Sequence, residues 1–325
     1  MAMLPMLFAS CSKEVIDNPT EEKFYVVKLG LGAELDVTYE SMTKAAGNDL
    51  YGIQVYSTPN TDESVAYKPY AYGLFDNPED ITIKLLEGYK YKFEATMIVD
   101  GKNKLSSSSN GYWNPFVTNA IGSSNVGVSD DFIFSSSIKI DPSKSFTQMN
   151  SGPYYVPNIE RFYGEATDYI PSEGASVEIS MKRVCFAAKF VAQGKFKKDG
   201  GKITIQIPDA PVAYIVADDA NEHKYEDVYT FRDIKGAYNA AKDNDYVVEM
   251  DVNLSWTKGD GATVPFGDYK VKFKRNKKTV INIKVDDKSS GNGIGIILEE
   301  EEITEGETYT IDPGGSLDND VDLNN

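Results

Sequence analysis

Polar and apolar residues alternate with a period of two along much of the chain. In Tyr89-Lys90-Tyr91-Lys92-Phe93-Glu94-Ala95-Thr96-Met97 every odd position is apolar or aromatic and every even one polar. A strand with that pattern buries one face and wets the other. The same period runs through Ile203–Ile207, Tyr269–Lys274 and Ile281–Val285. Further strands are predicted at 23–31, 50–56, 80–86, 131–140, 176–192, 211–217, 226–231, 245–256 and 293–300. Turn sequences separate them: Asp76-Asn77-Pro78, Asp100-Gly101-Lys102-Asn103, Asp199-Gly200-Gly201 and Gly259-Asp260-Gly261. Arg275-Asn276-Lys277-Lys278, between two alternating runs, reads as a hairpin turn. Helical periodicity is nearly absent, and 233–242 reads as one short helix or a loop. Many short antiparallel strands with polar turns predict an all-β chain built from β-sandwiches.

At 325 residues the chain holds about two domains. Composition shifts twice. Residues 102–130 contain Ser106-Ser107-Ser108-Ser109-Asn110 and few apolar side chains, and residues 150–176 carry Pro153, Pro157 and Pro171. The second shift is the expected boundary. It gives an N-terminal sandwich over 23–170, a C-terminal sandwich over 171–312 and an acidic tail at 313–325. Both sandwiches open with a long apolar strand.

Net charge is −17, with a pI near 4.6. That balance speaks against a nucleic-acid partner, because nothing here neutralises phosphates, and suits a solvated extracellular surface. Catalytic signatures are missing from the sequence. The single histidine, His223, stands in the polar run Asp218–Lys224, which reads as a loop. There is no Gly-x-Ser-x-Gly and no phosphate-binding glycine loop. Cysteine and histidine are too few for a zinc site. A two-carboxylate glycosidase needs neither, but among 50 acidic residues no pair stands out. The reading is non-enzymatic, with no cofactor and no metal. Asp318-Asn319-Asp320-Val321-Asp322 has the alternation of a calcium loop but Leu323 where the glycine belongs, and reads as a solvated tail. Glu299-Glu300-Glu301-Glu302 reads as a charged strand edge that discourages pairing. Cys185, in an apolar run, reads as a buried inert thiol and Trp256 as core.

The start of the chain points to a membrane surface. Leu7-Phe8-Ala9-Ser10-Cys11 is an apolar run ending in small residues and a cysteine, followed by polar Ser12-Lys13-Glu14. This is the pattern of a bacterial lipoprotein signal, in which the cysteine takes the lipid and becomes the mature N-terminus. Residues 1–10 are then a signal remnant, Cys11 the lipid attachment site, and 11–22 an exposed tether. The run is shorter than a usual signal and has no basic residue before it, as a start codon assigned too late would leave it. No later apolar run approaches the ~18–20 residues that span a bilayer. Outer-membrane lipid, reached through acylated Cys11, is the expected attachment, and the outer membrane or cell surface the expected location.

Tyrosine is abundant, with 21 copies. Alternation assigns about half of those in the first domain to its core. Tyr112 and Trp113 differ, because they sit in the loop-like Asn110-Gly111-Tyr112-Trp113-Asn114-Pro115-Phe116. Aromatic rings in a loop either stack on a sugar or anchor a protein partner, or fold back to plug the end of the sandwich. The plug is the favoured reading of the two.

The order of these parts resembles the fimbrillin-like surface lipoproteins of Bacteroidales. The Ala9–Glu14 anchor precedes a first long strand over 23–37; a loop with the basic Thr43-Lys44-Ala45 follows, then Leu50–Tyr56, and late in the chain Tyr269–Phe273, Arg275-Asn276 and Thr279–Val285. The resemblance implies two tandem transthyretin-like antiparallel β-sandwiches and a fimbrial role, in adhesion or pilus assembly. It also implies that shaft subunits of the family are cut after an arginine in the loop following the first strand, opening a groove that a neighbour's C-terminal strand fills. Here Lys44 occupies that processing loop and the tail is acidic, so an anchor, an accessory subunit or a stand-alone adhesin that keeps its first strand is expected. The alternative reading is a glycan-binding lipoprotein of a carbohydrate-uptake system, with Tyr112 and Trp113 as the stacking platform for host or dietary glycan.

Overall fold

The computed structural model describes residues 22–33, 47–79, 81–116, 125–129, 131–220, 223–242, 246–285 and 294–302. The first sandwich is built mainly from β1 (Phe24–Ala33), β2 (Leu50–Pro59), β3 (Lys68–Phe75), β4 (Thr82–Leu86) and β5 (Tyr89–Ile98). A long connection follows. It carries helix α1 (Gly101–Lys104) and the short strands β6 (Ser107–Ser108), β7 (Gly111–Tyr112), β8 (Ile133–Phe134), β9 (Thr147–Met149) and β10 (Gly152–Tyr154). The chain then returns as β11 (Arg161–Tyr169) and β12 (Ser176–Arg183). The strands order as β4-β1-β12-β11-β5-β2-β3-β8. Between β12 and β11 only Phe162–Arg183 and Tyr163–Lys182 pair. The ribbon folds over there, so that β4-β1-β12 (sheet I) faces β11-β5-β2-β3-β8 (sheet II) across a core of Val27, Leu29, Ile53, Val55, Phe93, Val177 and Ile179.

The second sandwich holds β13 (Cys185–Gly194), helix α2 (Phe196–Asp199), β14 (Lys202–Gln206), β15 (Ala213–Val216), β16 (His223–Thr230), helix α3 (Ile234–Asn239), β17 (Val247–Thr257), β18 (Thr263–Lys274), β19 (Lys277–Val285) and β20 (Ile294–Glu302). Sheet III orders β16-β13-β19-β20 and sheet IV β15-β14-β17-β18. Phe186, Phe190, Ile203, Leu254, Trp256, Phe273 and Ile283 fill the space between them.

One strand plan serves both sandwiches. The opening strand lies between an antiparallel neighbour and a parallel one: β1 between β4 and β12, β13 between β16 and β19. The facing sheet runs β3-β2-β5-β11 in one and β15-β14-β17-β18 in the other. The chain is all-β and sandwich-like, largely antiparallel, with one parallel pair of this kind in each sandwich.

Several expectations change. The 170/171 boundary falls on a turn within the first sandwich, because β12 pairs with β1 and its Val177, Ile179 and Met181 belong to the first core. The 176–192 run, expected as one strand, breaks at Val184. There its N–H donates to the Arg161 carbonyl and its own carbonyl accepts from Phe231, which swings the chain from sheet I to sheet III. Arg275-Asn276 is not a hairpin turn: β18 lies in sheet IV and β19 in sheet III, and Asn276, at φ 58°, makes the crossover. Of 131–140 only Ile133–Phe134 is strand. The predicted 233–242 stretch is helical, as α3 followed by a tight turn at Ala240–Lys242. Asp233 caps it, its side chain accepting from the Gly236 N–H at 2.9 Å.

The two sandwiches meet through polar contacts between β5, β11 and α3. Lys235 of α3 reaches Glu94 at 2.8 Å and Glu165 at 3.3 Å. Lys92 lies 2.7 Å from the same Glu94. The Tyr163 hydroxyl donates to Glu165, and the Tyr163 ring meets the edge of Tyr238 at 5.3 Å.

Candidate functional site

Two of the four predicted site residues, Cys11 and Lys44, lie outside the described residues. The strand between them is in place. β1 sits in the middle of sheet I, with Val27 and Leu29 fully buried. Its first half bonds to β4, Phe24 opposite Leu86 through Lys28 opposite Thr82. Its second half runs parallel to β12, Lys28 beside Ser176 through Ala33 beside Met181. Each fully buried aliphatic side chain is worth about 1.5–3 kcal/mol. Taking β1 away would bare Ile83, Leu85, Val177 and Ile179, which are buried on either side of it.

Tyr112 and Trp113 belong to the long connection, which lies as a cap across the outer face of sheet II. The cap brings Leu105, Phe116, Val126, Ile140, Met149 and Ile159 onto Leu50, Tyr72, Leu74 and Ile98, forming a third core. Gly52 permits the closest approach: a Cβ there would sit 2.5 Å from the Phe116 ring. Buried polar groups fasten the cap. The Gln54 carbonyl accepts from the Ile140 N–H at 2.9 Å, and its amide donates to Val55 and Ala71. Arg161, wholly buried, donates to Thr96 Oγ1 at 2.8 Å and to the carbonyls of Lys144 and Pro142. Burial pushes its pKa down to about 10, so it stays charged at neutral pH.

Within the cap, Tyr112 pairs its backbone with Val126 and packs partly on the third core. The Trp113 N–H donates to the Ser106 carbonyl at 3.1 Å, and its carbonyl accepts from Phe116. Both rings are half-buried, between the plug and the platform that the sequence left open. The alternation of 89–97 has the right period but a drier second face than expected. Thr96 and Glu94 are buried, because the cap covers one and α3 meets the other.

His223 does not lie in a loop. It opens β16, opposite Ala192 of β13, and is buried with its ring edge-on to Phe196 at 5.2 Å. Its Nδ1 is 3.6 Å from the Asp218 carboxylate. Cys185 is a free, buried thiol whose pKa burial pushes up to about 12, and its sulfur accepts the Arg161 N–H. A thiol in that state is not a nucleophile. Trp256 is core, its indole N–H donating to Gly200 at 3.0 Å. Among the described residues no three His, Cys, Asp or Glu side chains converge as metal ligands. No helix there is long and apolar enough to cross a membrane.

No protein-family model and no curated protein matches the chain. Among solved structures it is similar to the tip fimbrial protein Mfa3 from Porphyromonas gingivalis, with 12% identity, 86% of this chain and 99% of that chain covered, and a TM-score of 0.34. It is similar to the fimbrial anchor protein Mfa2 from the same organism, with 6% identity, coverage of 86% and 97%, and a TM-score of 0.38. It is also similar to a candidate adhesin from Bacteroides ovatus, with 10% identity, coverage of 91% and 100%, and a TM-score of 0.39.

Proposed function

We propose that the protein is a non-enzymatic surface lipoprotein of fimbrial type. It is held to the outer membrane through Cys11 and acts in adhesion or pilus assembly with its first strand retained. The observation that carries this reading is β1, seated between β4 and β12 with Val27 and Leu29 buried. A subunit that keeps this strand keeps whatever is attached ahead of it, and so stays at the base or the surface. Lys44, which falls between β1 and β2 in the sequence, is not the arginine that the resemblance implies for processing.

The test is the N-terminus of protein recovered from cells. Mass spectrometry of the membrane fraction is expected to find acylated Cys11, with the 23–33 peptide present, and Cys11→Ala is expected to release the protein into the soluble fraction. An unmodified Cys11, or a chain beginning after Lys44, overturns the reading. The glycan alternative rests on the half-exposed rings of Tyr112 and Trp113. Glycan-array binding abolished by Trp113→Ala would establish it in place of the first.

A further inference from the structure

We propose that β15 is a docking strip that takes up an extended segment of a partner polypeptide as an added strand. Val212, Tyr214 and Val216 are 42%, 48% and 59% exposed and alternate with buried Ala213 and Ile215. Three apolar side chains therefore form one stripe on the outer face of sheet IV. β15 is the terminal strand of that sheet, and among the described residues no strand pairs with its other edge. Proteins usually blunt such an edge with charge or cover it, and a contiguous apolar stripe on a surface marks a contact.

The chain itself shows what covers this strand. By the shared plan, the counterpart of β15 is β3, whose outer-face Tyr72 and Leu74 are 6% and 0% exposed. An extended segment of the cap closes that edge. β8 pairs antiparallel with β3, Phe134 opposite Ala71 and Ile133 opposite Tyr72. On either side, Ser129 and Ser135 donate backbone N–H groups to the carbonyls of Leu74 and Tyr70. The cap spans residues 99–160 between β5 and β11, whereas β17 and β18 are joined by residues 258–262, too few to supply a cover. Among the described residues the second sandwich thus has the strand without a segment that closes it, and strand addition at an open edge is an established mode of polypeptide recognition.

Charge narrows the partner. Lys202 stands opposite Val216 in the ladder, and its ammonium lies 4.7 Å over the Tyr214 ring. The next outer-face residues, Thr204 and Ser255, are uncharged. The segment that fits carries a short apolar run with an acidic residue beside it. Residues 129–138 of this chain, which contain Asp130 and Asp131 before Phe132-Ile133-Phe134, have that chemistry.

A synthetic peptide of residues 129–138 is therefore the probe, titrated into the isotope-labelled full chain and followed by backbone amide shifts. Shifts are expected at Ala213–Val216. Tyr214→Ser is expected to weaken binding about tenfold and Lys202→Glu to weaken it measurably, the latter restored by a peptide with lysine in place of both aspartates. Thermal unfolding should be unchanged, since both side chains are exposed. The proposal is overturned if millimolar peptide leaves β15 unperturbed or if Tyr214→Ser binds as well as the parent. It is equally overturned if Tyr214→Ser abolishes binding to an oligosaccharide array or self-association of the chain, because the strip then serves a glycan or a second copy. The outcome is independent of the state of Cys11.

Discussion

In the first sandwich the outer face of sheet II carries Gly52, Gln54, Tyr72, Leu74 and Thr96 beneath a cap. In the second the outer face of sheet IV carries Lys202, Thr204, Gln206, Tyr214 and Val216 in or near solvent. The strand plan is the same, and the length of one connection separates the two. Where that connection is long, the second face of the sheet must also be dry. It then takes a glycine to admit a ring, a glutamine with every group bonded, and an arginine satisfied by neutral oxygens. Where it is short, the face keeps the polar half of the alternation and exposes the stripe on β15, with Val247 of β17 the other large exposed apolar side chain among the described residues of the face. The contrast shows that a strand's inward pattern is set by its sandwich, whereas its outward pattern is set by what the rest of the chain lays over it.

The contrast predicts its own tests. Phe116→Ala removes the largest side chain the cap buries against sheet II and is expected to cost about 3–5 kcal/mol, read from urea unfolding. Arg161→Ala leaves Thr96 Oγ1 and the carbonyls of Lys144 and Pro142 without their donor. At about 1–3 kcal/mol for each orphaned group, a loss of at least about 3 kcal/mol is expected; a loss below about 1 kcal/mol would show that the cap is dispensable to the fold.

Lys235→Met, combined with Glu94→Gln in a double-mutant cycle, is expected to give a coupling of about 1 kcal/mol between the sandwiches. The other carboxylate that Lys235 reaches, Glu165, brings an acid limit. Burial opposes the charge of Glu165, but the Tyr163 hydroxyl and the Lys235 and Lys92 ammoniums outweigh it, holding its pKa below the ordinary 4.5. A depressed carboxylate pKa stabilises the fold fully above pH 4.5, and the increment is lost as pH falls through the lower folded value. Wild type is expected to lose more stability across that window than Lys235→Met does. An equal loss would place the acid sensitivity elsewhere.

On the bare face, Thr204→Ala and Tyr214→Ser are expected to move stability by no more than about 0.5 kcal/mol. A larger change would mean that sheet IV is covered after all.

Much of this fold was legible in the chain. Alternation located most of the long strands, and the polar turns located most of their ends. Two long strands were missed, because Pro69 and Gly73 break the run that becomes β3, and Gly164 and Asp168 the run that becomes β11; the short β6, β7, β9 and β10 carry too few residues to show a period. The environment of a face was not legible. Glu94 and Thr96 look solvent-facing in sequence and are dry because Lys235 and Arg161, distant in sequence, come to meet them. Nor was the break at Val184, since an apolar run that passes from one sandwich to the next reads the same as one continuous strand. His223 misled for a related reason: its sequence neighbours are polar, but pairing with β13 carries it inward. Of the site residues, Tyr112 and Trp113 could be placed in a loop from composition, and the sheet on which that loop rests emerged only from the packing.

The parallel pair of the first sandwich has a mechanical consequence. Tension applied along the chain enters the first sandwich at the start of β1 and leaves it at the end of β12, pulling these neighbours in opposite directions along their shared ladder. The hydrogen bonds from Lys28 to Ala33 are then loaded in shear, all together, rather than opened one after another like a zip. β13 and β19 form a second parallel ladder over Ala187 to Gly194. There the chain runs on from β19 into antiparallel β20, so tension leaves that sandwich through β20 and does not shear the ladder in the same way. A chain pulled from its two ends would meet force in the first sandwich with that sandwich's parallel ladder in the orientation that resists rupture best.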